Sequence, residues 1–89
     1  MHIEYDPAKR EATLSARALD MARSAEVWNG PTVTIPDTRR DYGEDRFMTV
    51  GRLSSRLVVL IWTPRGDTRR IISLRKANAR EQAAFGPSP

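Results

Sequence analysis

The chain contains no cysteine and a single histidine, His2. Disulfides and thiolate metal clusters are therefore excluded, and a multi-histidine or structural zinc site has too few ligands to form, so no metal and no cofactor are expected. Aromatic residues are sparse, two each of Trp, Tyr and Phe among 89 residues. No apolar run approaches the roughly 20 residues that a bilayer crossing needs. The opening MHIEYDPAK has no signal-peptide core, so the expected location is cytoplasmic. A chain this short makes one domain, and it buries only about 60–65% of the surface its unfolded form exposes. The expected organisation is a single domain over residues 1–86 with a frayed tail at 87–89.

Charge is unevenly spread. Residues 1–45 carry six Lys/Arg and nine Asp/Glu, net −3, whereas residues 46–89 carry nine against two, net +7. Thirteen of the fifteen basic residues are Arg, whose planar fork suits bidentate contact with phosphate or carboxylate. A polyanion is the partner this points to.

Local signals give the elements. After a short strand at Ile3–Tyr5, Asp6-Pro7 has the N-cap and N1 residues of a helix over Pro7–Ser15. Asp20 is a second N-cap, and the apolar Met21, Ala25 and Trp28 at i, i+4 and i+7 predict a helix over Met21–Trp28, ended by Asn29-Gly30-Pro31. Thr32–Ile35 reads as a short extended segment, and Arg46–Gly51, Leu57–Thr63 and Thr68–Arg75 as three antiparallel strands, the middle one buried on both faces. Asn78 and Glu81 stand in a capping-box relation before a last helix, which Gly86-Pro87 stops. The expected class is α+β: a small antiparallel meander of about four strands with two N-terminal helices and one C-terminal helix.

Alternation along the last strand sorts its residues. With Ile72 and Leu74 facing the helices, Ser73 and Arg75 fall on the opposite, open face, where a positive surface flanked by Arg46 and Arg80 would hold an RNA backbone. Tyr42 is the one aromatic that no periodicity asks for, since it sits in the charged loop PDTRRDYGED (Pro36–Asp45).

These residues resemble a known family. The opening EYDPAK, the segment AEVWNGP (Ala25–Pro31), the stretch IPDTRRDYGEDRF (Ile35–Phe47) and above all RGDTRRIISLRKANAREQAAF (Arg65–Phe85) are similar to the BrnT toxins. The resemblance implies a compact, RelE-like endoribonuclease that cuts RNA without a metal. It also implies neutralisation by a BrnA-like antitoxin in a heterotetramer, with DNA contacted only indirectly through that antitoxin. One stretch departs from the family pattern N-L-x-K-H-G-V: Thr13 stands for its Asn, Arg17 for its His and Ala18 for its Gly.

Metal-free cleavage needs the RNA 2′-hydroxyl deprotonated, the leaving 5′-oxygen protonated and the phosphorane charge stabilised. The residues expected to serve the phosphate and transition state are Arg75, Lys76 and Arg80, with Arg17, which cannot titrate near neutrality. Arg46, Arg70, Ser73 and Tyr42 are expected to bind RNA. Glu44 is the candidate general base, with Asp45 and Glu81 behind it. The alternative is a catalytically impaired homologue that uses the same basic surface to bind RNA or an acidic partner.

Overall fold

The computed structural model describes residues 1–86, and the expected frayed tail at 87–89 lies outside them. The chain forms β1 (His2–Glu4), α1 (Pro7–Arg17), a 3₁₀ helix (Met21–Asn29), β2 (Val33–Pro36), β3 (Phe47–Leu53), β4 (Arg56–Arg65), β5 (Thr68–Lys76) and α2 (Ala79–Phe85). No helix among the described residues is long and apolar enough to cross a membrane.

Helix α1 starts as its sequence dictates, with the Asp6 carboxylate accepting from the Ala8 N–H at 2.8 Å. It ends at Ala18, whose left-handed backbone (φ 55°) lets its N–H bond the Leu14 carbonyl. None of its residues is buried. Polar ties hold it instead: the Arg10 fork reaches Asp20 at 2.8 and 3.0 Å, and Arg17 donates to the Leu74 carbonyl at 2.8 Å.

The second helix differs from expectation in kind. It is 3₁₀ throughout, and its buried residues are Met21, Ser24 and Val27, a spacing of three rather than the four-then-three of Met21, Ala25 and Trp28. Three residues per turn puts i, i+3 and i+6 in one line, and that line lies on the sheet. The contact is close: a Cβ at Gly51 would stand 2.7 Å from Val27 Cγ1, so only glycine fits under this helix.

The sheet has five strands in the order β1-β5-β4-β3-β2. β1 runs parallel to β5 and every other pair is antiparallel, so the expected four-stranded antiparallel meander is in fact a mixed sheet. No hairpin links β1 to its neighbour, and a three-residue strand gives no pairing signal of its own. The hairpins are tighter than the sequence implies. Ser54 and Ser55, both at positive φ, make the whole β3–β4 turn, and the strands run on beyond their expected ends.

β4 is covered on both sides, as expected. Val58, Leu60 and Trp62 pack with Leu19, Met21, Val27, Leu53, Ile71 and Leu74 beneath α1 and the 3₁₀ helix. Val59 and Ile61 pack with Val50 and Ala77 on the other face, where Phe85 of α2 joins them. Each such side chain stabilises the fold by about 1.5–3 kcal/mol. The indole N–H of Trp62 donates to Thr49 Oγ1 at 2.8 Å, and Thr49 in turn shares a 2.7 Å hydrogen bond with Thr34.

A bulge corrects the expected alternation in β5. Ile61 pairs with Ser73 but Trp62 pairs with Ile71, leaving Ile72 as the extra residue. Ile71, not Ile72, therefore joins Leu74 in the core beneath the N-terminal helices, and Ile72 turns to the α2 face. Arg69 follows Ile71, and its guanidinium stacks 4.6 Å from the ring centres of both Trp28 and Trp62.

Candidate nucleic-acid interface

Ser73 and Arg75 lie opposite Ile61 and Val59, clear of the N-terminal helices as expected, but their face is not open: α2 packs on it through Phe85. The capping box forms as its spacing dictates: Asn78 Oδ1 accepts from the Glu81 N–H, and Glu81 Oε1 accepts from the Asn78 N–H, both at 2.8 Å. This geometry turns the Glu81 carboxylate back over β5, where the Arg75 fork donates to it at 2.7 and 2.9 Å. The Arg75 side chain is one-third exposed and that of Glu81 14% exposed. The guanidinium holds the Glu81 carboxyl below the usual range, and the carboxylate raises Arg75 further, so both are charged at neutral pH.

The loop between β2 and β3 overhangs the same face. Its neck is closed by the Asp37 N–H bonding the Arg46 carbonyl at 2.8 Å, and Thr63 Oγ1 donates to the Asp45 carbonyl at 2.6 Å. Asp37 is buried, its side chain 3% exposed, and accepts a fork from Arg39 at 2.8 and 3.0 Å and the Tyr42 hydroxyl at 3.2 Å. The Arg39 bonds hold the Asp37 carboxyl below its ordinary value. Arg39 itself is 70% exposed, and its charge lies near enough to Arg75 to oppose that residue's protonation.

The expected residues thus fall into separate groups. Tyr42, Glu44 and Arg46 meet in the loop, with the Arg46 guanidinium 3.9 Å above the Tyr42 ring and 3.1 Å from Glu44. Glu44 also faces Arg65 at 3.9 Å. Arg75 meets Glu81 instead. Arg70 pairs with Glu4 of β1 at 3.4 Å. Lys76 lies in a cleft with Arg52 and Arg56, and Arg80 is exposed on the first turn of α2. Arg17 is bonded to backbone at the edge of β5. Among the described residues no group of three or more His, Cys, Asp or Glu side chains is placed to hold a metal ion.

A guanidinium pinned beside a carboxylate where α2 meets β5, one-third exposed and within charge range of a second guanidinium, suits a phosphodiester. Comparison with protein families agrees: a family described as "Ribonuclease toxin, BrnT, of type II toxin-antitoxin system" matches residues 5–81. The chain belongs to the BrnT family. Type II membership brings an RNA substrate and a protein antitoxin with it. No curated protein matches the chain. Within this BrnT chain, sequence reasoning missed Arg39 and took Glu81 chiefly as a cap. The signal for Arg39 is its two-residue distance from Asp37, the spacing at which an Asp side chain bonds the backbone and side chain ahead of it.

Proposed function

We propose that the chain is a metal-independent endoribonuclease, related to the RelE-type enzymes, that arrests growth until a BrnA-like antitoxin binds it in a heterotetramer. The observation that carries the chemistry is the Arg75–Glu81 pair where α2 meets β5. An RNA phosphate competes with Glu81 for the Arg75 fork. Once Arg75 turns to the phosphate, Glu81 loses the contact that holds its pKa down and becomes the base that takes the 2′-hydroxyl proton. The 2′-oxygen then bonds phosphorus to leave a 2′,3′-cyclic phosphate, and the 5′-oxygen departs as a hydroxyl with a proton taken from water, while Arg75 and Arg39 neutralise the phosphorane oxygens. Arg46 and the Tyr42 ring it covers would bind flanking RNA, with Ser73, Arg70, Lys76 and Arg80 adding polar and phosphate contacts. Glu44, held by two guanidiniums, fixes Arg46 in this scheme. Arg17 is a positioning residue, bonded to the carbonyl that precedes Arg75.

The test is induction of the chain alone and together with a BrnA-like antitoxin. Growth arrest with the chain alone, relieved by co-expression, is expected. Unimpaired growth with the folded chain abundant would leave the catalytically impaired binding module as the reading.

A further inference from the structure

An apolar groove of about 450 Å³ runs between α2 and the β2–β3 edge, floored by Pro31, Val33, Val50, Leu57 and Phe85. Its outer wall, β2, is the last strand of the sheet, and all four of its residues are exposed, Val33 at 44% and Ile35 at 45%. β2 is short and ends in Pro36, which limits further strand pairing, but it carries no charge, so its side chains leave this wall apolar. Arg52 is the only charged residue in the groove lining, so an RNA backbone finds too few cations here to replace its counterions. At Leu57 and Arg52 the groove opens into a second cleft that adds Arg56, Lys76 and Gln82. These cations differ from those of the Arg75 site. Arg52 donates only to the carbonyls of Ser55 and Gly86, and Arg56 only to that of Ala18, with no carboxylate on either among the described residues.

An apolar trough leading into carboxylate-free cations selects its occupant. A second copy docked groove to groove would bring Arg52 and Arg56 against like charges, which costs several kcal/mol at an interface. An amphipathic segment with acidic flanks meets both halves. We propose that this groove is the docking site of the antitoxin: an apolar face lies on Val33, Leu57 and Phe85, and its carboxylates meet Arg52 and Arg56. The proposal rests on the toxin–antitoxin reading given above and places the main contact beside, not over, the Arg75–Glu81 pair.

The experiment measures binding of a BrnA-like antitoxin to the wild-type chain and to Val33→Asp, Arg52→Glu and Arg75→Ala, with RNA cleavage followed in parallel. Val33 is half-exposed, so its substitution leaves the fold intact, and circular dichroism checks each variant. Val33→Asp and Arg52→Glu are expected to weaken binding by about tenfold or more each, while free Val33→Asp still cleaves RNA. Arg52→Glu should also flatten the salt dependence of binding. Binding unchanged in both groove variants but lost in Arg75→Ala would overturn the proposal and leave the ribonuclease reading standing. Cleavage lost in folded Val33→Asp with partner binding intact would make the groove an RNA surface and overturn it too. No binding of the BrnA-like antitoxin to the wild-type chain, with cleavage intact, would overturn the partnership and the docking site together. Self-association through the groove, abolished by Val33→Asp, would assign it to a second copy instead.

Discussion

Glu81 serves two masters: one carboxylate caps the Asn78 N–H of α2 and accepts the Arg75 fork from β5. The helix start and the site are thus one structure, and substitutions at this carboxylate separate their roles. Glu81→Gln keeps a capping-box side chain but has no basic oxygen to offer. Cleavage is expected to fall by about 10²–10⁴-fold with α2 retained by circular dichroism. Arg75→Lys keeps the charge and loses the fork, so it should rescue only part of the activity that Arg75→Ala removes.

Acid should weaken the fold through Asp20. Its carboxyl is pulled from an ordinary 3.8 to about 2, first by the Arg10 guanidinium and then by the Ala22 N–H. The folded value lies below the unfolded one. The stabilisation is therefore complete above about pH 4 and is lost as pH falls through about 2. Denaturant unfolding across this range should show a slope that Asp20→Asn reduces, since Asn still caps the 3₁₀ helix but carries no charge.

Ala18 ends α1 with φ at 55°, a conformation that costs an L-residue with a Cβ about 1–2 kcal/mol. Ala18→Gly, the residue of the family pattern, should stabilise the chain by about 1 kcal/mol after glycine's greater unfolded entropy is counted. For a domain this size that raises Tm by about 4–8 °C. Differential scanning calorimetry reads it directly.

The buried Trp62–Thr49–Thr34 relay predicts an asymmetry. Thr49→Val leaves the Trp62 indole N–H without its 2.8 Å partner, at a cost of about 1–3 kcal/mol. Thr34 is exposed, so water replaces it, and Thr34→Val should change stability by no more than about 0.5 kcal/mol. Urea unfolding of the two variants compares them.

The features legible in the sequence are those decided within a few residues. Asp6, Asp20 and the Asn78/Glu81 pair announce their helices because a cap bonds the backbone two or three positions on. β4 announces itself by being apolar at every position from Leu57 to Trp62. What the sequence hid is settled by distant partners. The 3₁₀ winding of Met21–Asn29 depends on a sheet surface that admits Val27 only over Gly51. The bulge at Ile72 depends on β4, and it turned Ile72 away from the N-terminal helices and put Ile71 in its place. Arg75 and Ser73 escaped that error because they lie past the bulge. Glu81 reaches Arg75, and the charge of Arg39 acts on it, from a helix and a loop whose packing no local pattern records.

The most direct test of the account is cleavage of single-stranded RNA by the purified wild-type chain and by Arg75→Ala, both in excess chelator. The wild type is expected to cut, and Arg75→Ala, still folded, to cut about 10²–10³-fold more slowly. Equal cleavage by the two proteins, or cleavage that the chelator abolishes, would contradict it.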